Sequence, residues 1–443
     1  MRSTLSAAAL CLAATAATAA PDVQPLLDAG DFEAAAARLE EALKADPGDH
    51  DARLALGVTT FLAGVEELAH AAWAHGLRDP ASGAAGLVGV GTLLPMKPNP
   101  EPLETSAADV DAALEAFGEA LAATDAALAP IGDAEARMSL RPGTVRMDLD
   151  GDGVLERTEG LWRFFEAVRD PWGGTGFDDN GNPLPPDPDA PPSPTEEAAE
   201  GFVLGLDTGD AYWLRGYAHL LGGVVDLALG YDGGELFGRA GHLFFDRTTG
   251  LAEHPWLAAP GGPGGFDVNS ILDAVAAVHL LSQPVRDAGR VAAAREKFLA
   301  VADLSRRSWA SILAETDDDR EWLPAPGQAS VIGVGIEQEQ VDAWLSFLDE
   351  AEKLLDGELL IPFWRGADRP QGGGGEGGVA HPSLGVNLKR VFTEPTRFDL
   401  ILWVQGTQAA PYLEEGPQTE PDFWLRLNEA FEGNLPGFAV WIN

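Results

Sequence analysis

The residues best suited to chemistry lie between positions 148 and 159, which read Asp-Leu-Asp-Gly-Asp-Gly-Val-Leu-Glu-Arg-Thr-Glu. Asp148, Asp150 and Asp152 alternate along the chain, and Glu156 and Glu159 follow. Carboxylates this dense repel one another strongly unless a cation sits among them. Gly153 lies among them and permits the positive φ of a sharp turn, a conformation that a side chain obstructs. The chemistry on offer is therefore cation binding through oxygen.

These twelve residues resemble the calcium loop of the EF-hand. The resemblance implies carboxylate oxygens from Asp148, Asp150 and Asp152 at loop positions 1, 3 and 5, and the turn glycine Gly153 at position 6. It implies a backbone carbonyl from Val154 and an apolar anchor into the core at Leu155. Glu156 would act directly or through water, and Glu159 would supply the bidentate carboxylate that favours seven-coordinate calcium over octahedral magnesium. The flanks depart from the pattern. Leu161, Trp162, Phe165 and Val168 give an outgoing helix an apolar face, but Pro142-Gly143 interrupts the incoming side, where residues 144–147 read as extended. A sensor opens two helices against each other; with one helix, the expected role is a structural clamp. Asp178, Asn180 and Asn182 repeat half the spacing, yet Pro183 takes the glycine's place and no Glu follows at position 12, so this stretch reads as an Asx-turn loop.

Other constellations are weaker. Arg215, His219 and Asp226 share one face of an apolar helix, either lining a pocket or forming a satisfied internal network or a thin solvent-facing strip. The histidines show no recognised metal spacing; His70 and His75 are five apart. No nucleophile elbow, phosphate loop, dinucleotide fingerprint or zinc-protease motif occurs, so no catalytic or cofactor-binding residue is assigned. Trp322, Trp344, Trp364 and Trp403, with acids such as Glu337 and Glu339, keep open a helical carbohydrate-active or glycan-binding alternative. Indole faces stack on sugars, and glycosidase carboxylate pairs need no local signature.

The elements that must position the loop begin with residues 24–80. Gly30, Phe32, Ala35, Leu39, Ala42 and Pro47, then Leu56, Gly57, Gly64, Ala69 and Trp73, resemble a pair of tetratricopeptide repeats. That implies antiparallel helices with Ala35, Leu39, Ala42 and Leu56 buried together, and a surface for a protein partner. Two repeats cannot bury their own faces, so they must pack on the helices that follow. A helix is expected from Ser106 to Leu128, with others near 210–231, 268–281, 289–313 and 337–355. Residues 398–404 form an apolar run that suits either a strand or a buried helix. The expected fold is mainly α: tetratricopeptide-like hairpins over 21–100, a helix and calcium loop over 101–170, a Pro/Asp-rich loop over 171–195, and a larger helical domain over 196–443. Two stretches, 212–217 and 398–417, resemble exported bacterial proteins, a resemblance that implies no activity.

Residues 1–20 read as a signal peptide: Arg2, a short Leu/Ala-rich run from Leu5 to Ala17, and small residues ending at Ala20 before Pro21. The run is too short to span a membrane. Cys11, the only cysteine, lies inside it and follows Leu10 rather than the small residue a lipoprotein signal requires. The formal charge of −41 repels nucleic acid and anionic membrane surfaces and attracts cations. The expectation is a periplasmic or secreted, non-enzymatic calcium-binding scaffold, with no nucleic-acid partner and no membrane insertion.

Overall fold

A computed structural model describes residues 20–78, 97–162, 200–249, 268–316, 320–328, 330–331, 335–365 and 384–431. Residues 1–19 of the expected signal peptide, the Asp178–Asn182 stretch, the 171–195 loop, and Phe165 and Val168 of the expected outgoing helix lie outside the described residues.

Short polar side chains start the main helices. After a five-residue helix α1 (Gln24–Asp28), Asp31 accepts the Ala34 N–H at 3.0 Å and opens α2 (Phe32–Ala45), which ends ahead of Pro47. Asp49 does the same for α3 (His50–Ala74), accepting from Ala52 at 2.9 Å. Ser106 and Asp109 form a reciprocal capping box on α4 (Ala107–Leu128), one residue inside the expected start. Asp207 and Asp210 do so on α5 (Thr208–Gly230). Further along come α6 (Gly234–Ala240), α7 (Val268–Leu280), α8 (Ala288–Ile312) and α9 (Gln338–Asp356), followed by α10 (Leu388–Thr393), α11 (Leu400–Gln405) and α12 (Pro421–Ala430). Strands are short and antiparallel: β1 (Met138–Leu140) pairs with β2 (Leu204–Leu206), β3 (Ser282–Gln283) with β6 (Phe398–Asp399), and β5 (Leu384–Val386) with both β4 (Ile361–Pro362) and β7 (Leu413–Glu415). The fold is mainly α, as expected, and among the described residues no helix is long and apolar enough to cross a membrane.

The N-terminal hairpin is α2 against α3, but α3 runs unbroken for 25 residues. Gly64, Ala69 and Trp73 therefore do not start a second hairpin within residues 50–80; they sit on the same helix, whose next antiparallel neighbour is α4. Close approach of these two helices explains two of the glycines. A Cβ at Gly57 would lie 2.3 Å from the Leu128 side chain, and one at Gly64 would lie 2.5 Å from the Ala120 Cβ. Seven residues apart, the two glycines face α4 along one stripe. Within the hairpin Ala35 and Leu39 are fully buried, whereas Ala42 and Leu56 are only half-buried. Leu54 and Ala55 take the inward positions instead.

The first core runs from Val23 to Leu214 across the boundary drawn at residue 100, joining α1–α4, the 136–149 stretch, β2 and the start of α5. A second core gathers Trp309, Ile312, Val341, Trp344, Leu427 and Phe431 from α8, α9, α12 and its end. Trp213 and Trp322 pack against both cores, edge to face at 5.9 Å. The expected apolar element at 398–404 splits into strand β6 and the six-residue α11, because Asp399 accepts the Leu402 N–H and caps a helix there. It is not buried: Ile401, Leu402 and Val404 are exposed.

Candidate metal centre

The chain enters the acidic loop extended and leaves it beside the point of entry. Val145, Met147 and Leu149 alternate into the first core, each essentially inaccessible. Met147 N–H donates to the Glu159 carbonyl and Leu161 N–H to the Val145 carbonyl, both at 3.1 Å, so an antiparallel bridge between Arg146 and Gly160 closes the loop. That bridge stands where an incoming helix would have been, as Pro142-Gly143 implied. On the outgoing side a single 3-10 turn (Arg157–Glu159) precedes buried Trp162.

Inside this frame the three aspartates converge. One carboxylate oxygen each from Asp148, Asp150 and Asp152 can be chosen so that all lie within 4.8 Å of one another. Backbone N–H groups hold them: Asp148 accepts from Asp152 (3.1 Å) and Gly153 (2.9 Å), and Asp152 accepts from Val154 (2.7 Å). Gly151 and Gly153 take φ of +67° and +77°, the left-handed region that favours glycine. Glu159 is 4% exposed; its two carboxylate oxygens accept from Leu149 (3.1 Å) and Glu156 (2.8 Å), pulling the loop's end against its beginning. Burial and the charges of Asp150 and Asp148 push the Glu159 carboxyl up from its ordinary value, against the lowering effect of those N–H groups. Val154 turns its side chain to solvent, and the partly exposed Glu156 pairs with Lys97. Leu155 is 36% exposed rather than anchored in the core: its methyl groups cover the α1–α2 turn, 3.0 Å from where a Gly30 Cβ would stand.

Three further residues stand at the centre: Glu66 and Lys97, which no sequence motif marks, and His70, whose spacing from His75 matches no metal motif. Glu66 on α3 accepts the Asp148 N–H at 2.8 Å. His70, one turn on, meets the Asp148 carbonyl through Nε2; a carbonyl only accepts, so that nitrogen carries the proton. Lys97 reaches in from the segment before α4, its Nζ paired with Glu156 and 4.0 Å from Asp150. The i, i+4 spacing of Glu66 and His70 marks them as one helix face, but nothing local says what that face meets.

The other candidate constellations resolve into structural pairs. Arg215 donates to Asp125 at 2.7 Å, with His219 3.5 Å from the same carboxylate, while Asp226 pairs with Lys297 (2.8 Å) and Arg290 (3.3 Å). The Asp125 carboxyl is raised by burial, but His219 and Arg215 outweigh that and hold it below its ordinary value. The four tryptophans do not share a platform. Trp344 is buried and donates to Ser305 at 3.0 Å, Trp322 lies between the first two cores, and Trp403 stacks on Tyr412 beside the third sheet. Glu337 caps α9.

A second acidic group lies at the start of α5. Asp207, Asp210, Glu315 and Glu321 act on one another there, with Gln328 donating to Glu315 at 3.4 Å. Burial first, then Asp207 and Glu321, push the Glu315 carboxyl up to about 8, and burial pushes Asp210 well up too. Since Glu315 titrates near 4.5 when unfolded, the folded chain holds the extra proton between those values, and stability falls as pH rises through that window. After discounting for its partial exposure, the loss is on the order of 2 kcal/mol. Urea midpoints at pH 5.5 and 8.5, in saturating calcium, should fall for the native chain and much less for Glu315→Gln. Equal slopes for the two proteins would refute this.

Residues 26–72 match the tetratricopeptide repeat family. The match covers α2 and most of α3, and stops short of the acidic loop. No curated protein and no solved structure matches the chain.

Proposed function

We propose that this chain is an exported helical scaffold whose N-terminal tetratricopeptide hairpin serves a protein partner, and whose loop 148–159 takes one calcium ion as a structural clamp. The observation that carries the metal reading is the convergence of Asp148, Asp150 and Asp152 inside a loop closed by buried Glu159. Such a set offers several hard carboxylate oxygens, which suits the larger, less strictly octahedral shell of calcium better than the tight octahedron of magnesium. The clamp role is supported by what the loop touches. Glu66 and His70 tie it to α3, Leu155 covers the Gly30 turn, and Arg146 N–H donates to the Leu27 carbonyl at 3.3 Å. An ion held here would fix the repeat hairpin to the rest of the first core. Outside the cytoplasm calcium is near millimolar, so even a weak site of this kind would be filled.

Isothermal titration of the chain from Pro21 onward tests it. One equivalent of calcium should bind with a dissociation constant at or below the millimolar range, and magnesium should bind more weakly. Absence of calcium heat at millimolar concentration would remove the metal from this reading and leave the repeat scaffold.

A further inference from the structure

Resting on the calcium reading, we infer that Lys97 is an internal counter-ion that competes with the metal for Glu156 and Asp150 and so sets the affinity of the loop. The ammonium already pairs with Glu156, and it stands 4.0 Å from Asp150, an oxygen ligand in the proposed set. Lys97 does not belong to the loop. It comes from a segment tied to the end of α3, where Asn99 donates to the Trp73 carbonyl at 2.9 Å and the Leu103 N–H to the Ala74 carbonyl at 2.9 Å. The side chain is nearly half exposed, so it can swing into solvent without leaving a cavity.

A divalent ion coordinated by Asp150 and Glu156 would place two positive charges beside the ammonium, and the two cannot share those carboxylates. Binding calcium therefore breaks the Lys97–Glu156 pair and releases Lys97 to water. The carboxylates facing Lys97 are Glu156, Asp150 and Glu159; their hydrogen bond and charges favour its protonated form, so it stays charged throughout the neutral range. The competition is one of charge for charge rather than of a proton. It differs from a like-charged neighbour elsewhere on the surface in that the same two carboxylates serve both cations.

The experiment is calcium titration of the native chain, Lys97→Met and Lys97→Arg, with amine labelling of Lys97 read by mass spectrometry. Lys97→Met keeps the stem and removes the charge, and should tighten calcium roughly fivefold, the worth of one half-exposed ion pair. Lys97→Arg should remain near the native affinity. Labelling of Lys97 should rise on adding calcium, as the amine leaves its carboxylate partners. Calcium binding with equal or weaker affinity in Lys97→Met, or labelling indifferent to calcium, would overturn this inference alone. No calcium heat with any of the three proteins would overturn the metal reading and this inference with it.

Discussion

Chelation of calcium is expected to lower the melting temperature of the first core by several degrees, and calcium should restore it more effectively than magnesium. A ligand that binds only the folded chain stabilises it by RT ln(1 + [L]/Kd), about 2.7 kcal/mol at a hundredfold excess over Kd. The metal-free loop also leaves Asp148, Asp150 and Asp152 facing one another at close range, with the charges of Asp150 and Asp148 acting on Glu159, Glu66 bonded to the Asp148 N–H, and Lys97 paired to Glu156. Glu159→Gln and Asp148→Ala should each lose most of the response to calcium, whereas Asp178→Ala should change little. Far-UV circular dichroism and hydrophobic dye binding at low temperature should barely move. The loop is closed by the Arg146–Gly160 bridge and not by a pair of helices able to swing apart. Melting curves that ignore both chelator and calcium would refute the clamp.

Ala35→Asp should cost more still. Ala35 is wholly buried between α2 and the rest of the first core, so the new carboxylate has neither water nor a cation within its own cluster of Leu, Val and Phe side chains. An uncompensated buried charge costs several kcal/mol, enough to unfold the hairpin at moderate temperature. Ala42→Asp is the matched control. It lies one further turn pair along the same helix but is half-buried, and should lose on the order of 1 kcal/mol or less. Urea unfolding of the two variants separates these outcomes. Equal losses would mean that α2 does not pack with Ala35 and Leu39 inward.

The sequence carried the acidic loop and the repeat hairpin because both are written in short-range spacing. The alternation at 148–152 with Gly153 is visible within six residues, and the register Gly30, Phe32, Ala35, Leu39 within ten. Absence of an incoming helix was equally legible, since Pro142-Gly143 cannot continue one. What escaped was the identity of the partners. The Glu66–Asp148 bond spans 82 residues of sequence and the His70–Asp148 bond 78, and no local pattern announces either. Leu155 departs from expectation for a related reason: its position in the loop suggests a core anchor, but the neighbour it meets is the partly buried turn glycine Gly30. The unbroken α3 follows from its composition, a run of Ala, Leu, Val and Glu with no proline between His50 and Ala74, which outweighs the repeat register that placed a new hairpin there.

The first core closes only when Leu204, Leu206, Ala211 and Leu214 join residues that begin at Val23. During synthesis the N-terminal hairpin therefore emerges long before the surfaces that cover it. Until α4 arrives, Gly57 and Gly64 face water across an open groove, and the helices that flank them have nothing to close on. Such long-range closure carries a loop entropy that local helices avoid, and it slows folding relative to a simple repeat array. The hairpin is thus not a detachable module that could be cut out and carried elsewhere. A chain ending before Ala107 would display an apolar groove suited to a chaperone, or to the equivalent groove of a second unfinished chain.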